Sequence, residues 1–195
     1  MLDLFSQGKS TQELITLLEN DVKAYRKKQG VESRSKTKIY YGNLEYINNN
    51  ILIVTSPPKA RIFETANDKN ISDLLLSHGI TNFFITYFHF ISKEQISKKD
   101  IKDFGFYVRG FADIISPRII VCLGEDAQLS FFKKKFLIED YHGKEIGDFE
   151  GIPIYTTYPM EYYTEHSKFE DDSYKESLKD EDWNIIKERY KGVIS

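Results

Sequence analysis

Side chains able to do chemistry are sparse in this chain and gather in a few aromatic stretches. The run 82–90, N-F-F-I-T-Y-F-H-F, carries Tyr87 and His89 two residues apart, so on a continuous strand both would share a face. The run 156–163, T-T-Y-P-M-E-Y-Y, adds Tyr158, Tyr162 and Tyr163. Phenol rings suit stacking on a planar heterocycle or nucleobase, and an imidazole beside them offers a hydrogen bond or a proton. A third stretch, Ser56-Pro57-Pro58-Lys59, is a stiff loop. Each proline fixes its own φ and pushes the residue before it out of the helical region, so the loop makes a plausible site wall. Each feature also has a plainer reading: the aromatics and His89 as packing residues, the prolines as a strand stop, Phe63 as a core side chain.

Other catalytic constellations fare worse. Cys122, the single cysteine, lies inside an apolar run, which rules out an internal disulfide and any cysteine-built metal cluster. The four histidines, His78, His89, His142 and His166, lack ligand spacing, so no metal and no cofactor are expected. Gly124-Glu125 opens a helix with an acid, a poor cradle for phosphate.

These residues depend on the elements that carry them. In S-P-R-I-I-V-C-L-G, 116–124, an unbroken apolar run sits between a proline-marked entry and a glycine, the pattern of a strand buried on both faces in a parallel sheet. Before it, Phe104, Tyr107, Val108, Phe111, Ile114 and Ile115 form one helical stripe over 101–115. Ser10 and Glu13 have capping-box spacing ahead of a helix over 11–27. Strands are predicted at 39–41, 51–55, 82–90 and 152–155, and helices at 66–78, from 125 to about 135, and around Trp183, Ile185, Ile186 and Tyr190. The alternation gives an α/β fold in which right-handed crossovers build a mostly parallel, four-stranded central sheet covered on both faces, a three-layer α/β/α arrangement. One domain spanning 1–195 is expected from the length. Ligands bind outside the carboxyl ends of such strands, which selects 56–63, 87–92, 124–127 and 156–163.

Charge adds one asymmetry. Residues 164–183 hold eight acids against three lysines, whereas residues 1–163 are neutral overall. A neutral body argues against a strongly electrostatic nucleic-acid binder, although Arg26-Lys27-Lys28 and Lys133-Lys134-Lys135 are local basic clusters. No apolar stretch approaches spanning length and the first residues lack a signal-peptide pattern, so a soluble, cytoplasmic protein without membrane contact is expected.

The order and spacing of these pieces resemble the uracil-DNA glycosylase superfamily, most closely its family-4 and family-5 types, over nearly the whole chain. The strand-loop Gly-Glu-Ala-Pro-Gly of that family falls on Thr55-Ser56-Pro57-Pro58-Lys59, its phenylalanine on Phe63, and its Tyr-Ile-Thr-Asn strand on Phe84-Ile85-Thr86-Tyr87. The Arg-Pro-Arg-Val-Ile-Val-Ala-Leu-Gly run matches 116–124, Arg-Gly-Arg matches His142-Gly143-Lys144, and Tyr-His-Pro matches Thr157-Tyr158-Pro159. The resemblance implies a uracil-DNA glycosylase-like fold and a place in DNA repair by base flipping, with DNA, uracil-containing or modified, as the partner. It also implies a degenerate active site. Tyr87 stands for the base-reading asparagine, Tyr158 for the histidine, Ser56 for the first-loop glutamate and Lys59 for its second glycine; the cluster cysteines are absent, with Phe104 at one such position.

Candidate catalytic groups are therefore Tyr87, His89 and Tyr158. Candidate base- or DNA-binding groups are Ser56, Pro57, Pro58, Lys59 and Phe63 around the base, His142 and Lys144 on the backbone, and Pro159 and Met160 at the wedge. The expected function is a DNA- or base-binding module with ordinary uracil excision lost. The alternatives are an active glycosylase with rebuilt chemistry and a replication accessory scaffold that meets a protein partner through 158–183.

Overall fold

The computed structural model describes residues 8–28, 39–47, 49–56, 66–89, 97–164 and 171–194. Elements follow in the order α1 (Thr11–Lys28), β1 (Tyr40–Gly42), β2 (Ile51–Thr55), α2 (Ala66–Ser77), β3 (Phe83–Tyr87), α3 (Lys98–Ile115), β4 (Ile119–Leu123), α4 (Glu125–Gln128), α5 (Ile138–Tyr141), β5 (Lys144–Phe149), β6 (Ile152–Thr157), α6 (Met160–Thr164) and α7 (Asp172–Ile194). The sheet is six-stranded and mixed, ordered β1-β3-β2-β4-β6-β5. Its four central strands run parallel, and β1 and β5 pair antiparallel at the two edges.

Residues of β2 and β4 are fully buried from end to end, as continuous apolar runs require in a sheet covered on both sides. On one face, Leu52, Val54, Ile120 and Cys122 meet Ile15, Leu18 and Val22 of α1 and Phe104, Val108 and Phe111 of α3. On the other, Ile51, Ile53, Ile119 and Val121 meet Ile71, Leu74 and Leu75 of α2 and Trp183, Ile186 and Tyr190 of α7. The capping box forms as read: Glu13 N donates to Ser10 Oγ over 3.3 Å, and Ser10 N donates to Glu13 Oε2 over 2.7 Å. A second box, Ser97 with Asp100, opens α3.

Several expectations need correcting. The sheet has six strands rather than four: β1 falls on the strand expected at 39–41 and adds one antiparallel edge, whereas β5, with no apolar run to betray it, was not expected. The strand expected over 82–90 stops at Tyr87 and the one over 152–155 continues to Thr157. The helix expected to reach about residue 135 ends at Gln128. There the fully buried Gln128 side chain accepts from Phe136 N over 2.7 Å and donates to Thr156 Oγ1 over 3.0 Å, so the chain folds back around it. Within the acidic stretch 164–183, Lys175, Leu178, Asp182 and Trp183 are buried. Among the described residues, no helix is long and apolar enough to cross a membrane.

Candidate nucleobase-binding site

Parallel register lines up the last residues of the central strands. Thr55 pairs with Tyr87, Leu123 pairs with Thr157, and Val54 opposite Cys122 brings Thr55 and Leu123 level. Alternation places this final row on the α2/α7 face, because Ile53, Ile85, Val121 and Tyr155, two residues earlier, all belong to that core. Strand order reverses between β2 and β4, so the row ends at the crevice where open α/β sheets take their ligands.

At the β6 end of the row, α7 delivers a carboxylate. Asp182 is 1% exposed. It accepts from His142 Nδ1 over 2.7 Å, from the Thr157 hydroxyl in a short contact, and lies 3.5 Å from the Tyr163 hydroxyl. Tyr163 and Thr157 hydroxyls are themselves 2.9 Å apart. A carboxylate without such donors would be expensive to bury, so the cluster accounts for its own existence. Gly143 makes room for it: at φ +65° it turns the chain between α5 and β5, and a Cβ there would stand 2.7 Å from Asp182 Oδ1.

Above the carboxylate lies a column of rings. Tyr158 stacks on Tyr162 with centroids 4.2 Å apart and planes 18° apart, and His142 lies 5.4 Å from Tyr158. Lys175 Nζ sits 5.0 Å from the centre of the Tyr162 ring, a cation–π contact. Burial pushes the Tyr158 phenol up to about 12, helped by the neighbouring Tyr162, Glu139, Tyr174 and Asp182. Tyr163 is pushed up further, again chiefly by burial. Both phenols are therefore neutral around pH 7, where they donate and accept hydrogen bonds but carry no charge. His142 is the imidazole of the column, and its side chain is 25% exposed.

The remaining sequence-derived residues distribute as follows. Tyr87 is 1% exposed and occupies the final row itself. His89 lies beyond the end of β3, so strand alternation does not extend to it, and its ring packs 5.1 Å from Phe88. Ser56 Oγ donates to Glu161 Oε1 over 3.1 Å, tying the β2 exit to α6. Pro159 lies against Gly124, which leaves β4 with φ +82°. Met160, read as a wedge residue, is instead 5% exposed in the α2/α7 core. Lys144 Nζ donates to Asp140 O over 2.9 Å. Pro57, Pro58, Lys59 and Phe63 lie outside the described residues.

Thus the structure joins Tyr158 and His142, which the sequence placed in separate roles, and adds Thr157, Tyr163 and Asp182. Asp182 passes unnoticed in Asp180-Glu181-Asp182, a run that reads as solvated charge. A signal was nonetheless present: Asp182 falls four residues after Leu178 and four before Ile186, on the buried stripe of α7. An acid on an apolar stripe calls for a partner across the interface.

A separate groove of about 370 Å³ lies between α2, α6 and α7, walled by Asn70, Asp73, Glu176 and Asp180. Neither Tyr158 nor His142 lines it. Among the described residues, no group of acids, histidines or cysteines is arranged to hold a metal ion. Compared with protein-family models and with curated proteins, the chain matches none.

Proposed function

We propose that this chain is a divergent relative of the uracil-DNA glycosylase superfamily that binds DNA or an exposed base and has lost ordinary uracil excision. The finer fold reading, a uracil-DNA glycosylase-like domain built on the parallel strands β3-β2-β4-β6, is part of this proposal. The observation that carries it is the ring column at the carboxyl end of β6. Tyr158, at the position where the resemblance expects a histidine, is a neutral phenol stacked on Tyr162 at 4.2 Å. A neutral phenol stabilises a departing base anion less than an imidazolium does. Tyr87, at the base-reading position, is buried in the last row of the sheet. An aromatic column with hydrogen-bonding edges still suits a base or a single strand.

A second reading, an active glycosylase with rebuilt chemistry, is favoured by one observation: His142 is held by a buried carboxylate, the arrangement that orients a histidine for proton transfer. The two readings separate on oligonucleotides, single- and double-stranded, carrying uracil, hypoxanthine or 5-hydroxymethyluracil, with binding and base release recorded in the same samples. Binding without release is the expected result. Uracil release at a rate typical of the superfamily overturns the first reading, and release lost in His142→Ala establishes the second. Neither binding nor release turns attention to a protein partner at the exposed acids of α7, the accessory-scaffold reading.

A further inference from the structure

We infer that Asp182 is a positioning residue that fixes His142 with a proton on Nδ1, so that Nε2 meets the ligand as a hydrogen-bond acceptor for an N–H donor on the edge of a nucleobase. The inference rests on the base-binding reading above and names the group which that site recognises.

The argument starts from donors and acceptors. An ionised carboxylate only accepts, so the 2.7 Å contact between Asp182 Oδ1 and His142 Nδ1 requires a hydrogen on Nδ1. In the neutral ring the lone pair then falls on Nε2, across the ring from the buried carboxylate. A neutral histidine can carry its proton on either ring nitrogen; here the bond to Asp182 selects Nδ1. Asp182 is itself immobile: its other oxygen accepts from Thr157, the last residue of β6, and α7 carries it into the core between Leu178 and Ile186. The backbone next to His142 is anchored too, because the N–H of Gly143 donates to Thr156 O over 2.8 Å. The imidazole is thus fixed relative to Tyr158, whose ring lies 5.4 Å away and whose hydroxyl stays protonated around pH 7. An acceptor at Nε2 beside a stacking ring suits a heterocycle that presents an imide N–H at its edge. The charged groups nearest this imidazole and Tyr158 are the acids Asp182 of α7 and Glu139 of α5, while the cation of the column, Lys175 of α7, lies over the Tyr162 ring, so the groups beside the imidazole itself do not favour a phosphate.

Two measurements on the full chain test this. Nitrogen-15 NMR of the histidine rings at about pH 8 should show His142 with Nδ1 protonated and Nε2 bare, and Asp182→Asn should release that tautomer preference. A wild-type His142 protonated on Nε2 overturns the inference. Binding is then compared between one oligonucleotide carrying uracil and the same strand carrying N3-methyluracil, which lacks the imide N–H. The wild type should prefer uracil by about tenfold, and His142→Asn, which keeps a donor towards Asp182 but lacks Nε2, should bind both alike with an unchanged melting temperature. Equal wild-type binding of the two strands overturns the inference and leaves the base-binding reading intact. Binding of neither strand overturns both. Affinity that instead rises steeply on protonation of His142, without regard to methylation, assigns the ring to phosphate and overturns the acceptor role.

Discussion

The two faces of the sheet bury similar strand residues but are built for different purposes. Towards α1 and α3 the core is aliphatic and aromatic, with Tyr40, Phe84 and Phe111 linked by ring contacts between 5.1 and 5.9 Å and Phe104 in the same buried cluster. Its buried polar side chains are neutral: Thr86 donates to Ile39 O, and Thr156 donates to Cys122 O and accepts from Gln128 Nε2. Towards α2 and α7 the core includes an acid and a base, Asp182 and Lys175, the buried charged residues among those described. Cys122 belongs to the first face, and burial alone raises its thiol far beyond the reactive range. The contrast separates two kinds of packing: the first face could be repacked without disturbing a buried charge, whereas the second is tied to the Asp182 cluster.

The largest effect should come from the dry face. Phe104 is fully buried and its ring lies 5.0 Å from Tyr107 and 6.0 Å from Tyr25. Phe104→Ala should lower stability by about 3–5 kcal/mol, the range for deleting a buried phenyl ring, as read from urea denaturation. The ring signals of His142 should stay in place. If they moved as much as they do on loss of Asp182, the two faces would be one coupled unit and the comparison would fail.

Removing the acid itself comes next. Asp182→Ala strands the donors of His142 and Thr157, which should cost about 1–3 kcal/mol, and it should also free the His142 ring to reorient. Full stability together with an unmoved imidazole would show that the carboxylate contributes nothing to the site.

Gly143→Ala probes the same contact from the backbone. A left-handed φ costs a residue bearing a Cβ about 1–2 kcal/mol, and the new methyl would press on Asp182 Oδ1. The expected result is a loss of that size with a displaced carboxylate, read as a chemical-shift change at His142. Gly151→Ala, also at positive φ but with nothing within 4 Å of its Cβ, isolates the backbone part of the effect.

How much of this could be read from sequence follows from how each feature writes itself. The apolar runs of β2 and β4, the stripe of α3 and the Ser10–Glu13 cap were legible because burial on both faces, helical periodicity and capping each leave a local pattern. The edge strand β5 was not, because it takes its register from β6 across a bulge between Glu145 and Gly147 rather than from its own side chains. The early end of α4 depends on Gln128 meeting Phe136 and Thr156, a tertiary bond that no window of sequence shows. Likewise Tyr158 was identifiable as an aromatic at a strand exit, but Asp182, which holds the neighbouring His142 and Thr157, lies 24 positions further on, and only the docking of α7 brings it there.

The smallest effect concerns the Tyr158 hydroxyl, and its sign can be derived. An unfolded tyrosine ionises near 10, whereas burial in the ring column, with help from Tyr162 and nearby acids, holds folded Tyr158 up to about 12. Between those values the unfolded chain has lost a proton that the folded chain keeps. The folded state therefore loses relative stability as pH rises through that window, and below about pH 10 the contribution is complete. Tyr158→Phe keeps the ring and removes the proton, so it should make the alkaline decline shallower while leaving stability near neutrality almost unchanged. Urea midpoints of the two proteins at about pH 9 and about pH 11.5 give the difference directly, and other raised phenols such as Tyr163 cancel in the subtraction. A decline equally steep in both proteins would mean that the Tyr158 hydroxyl is effectively in water. The stacked column would then be a loose surface contact, and the polar face would begin at Thr157 and Asp182 rather than at its rings.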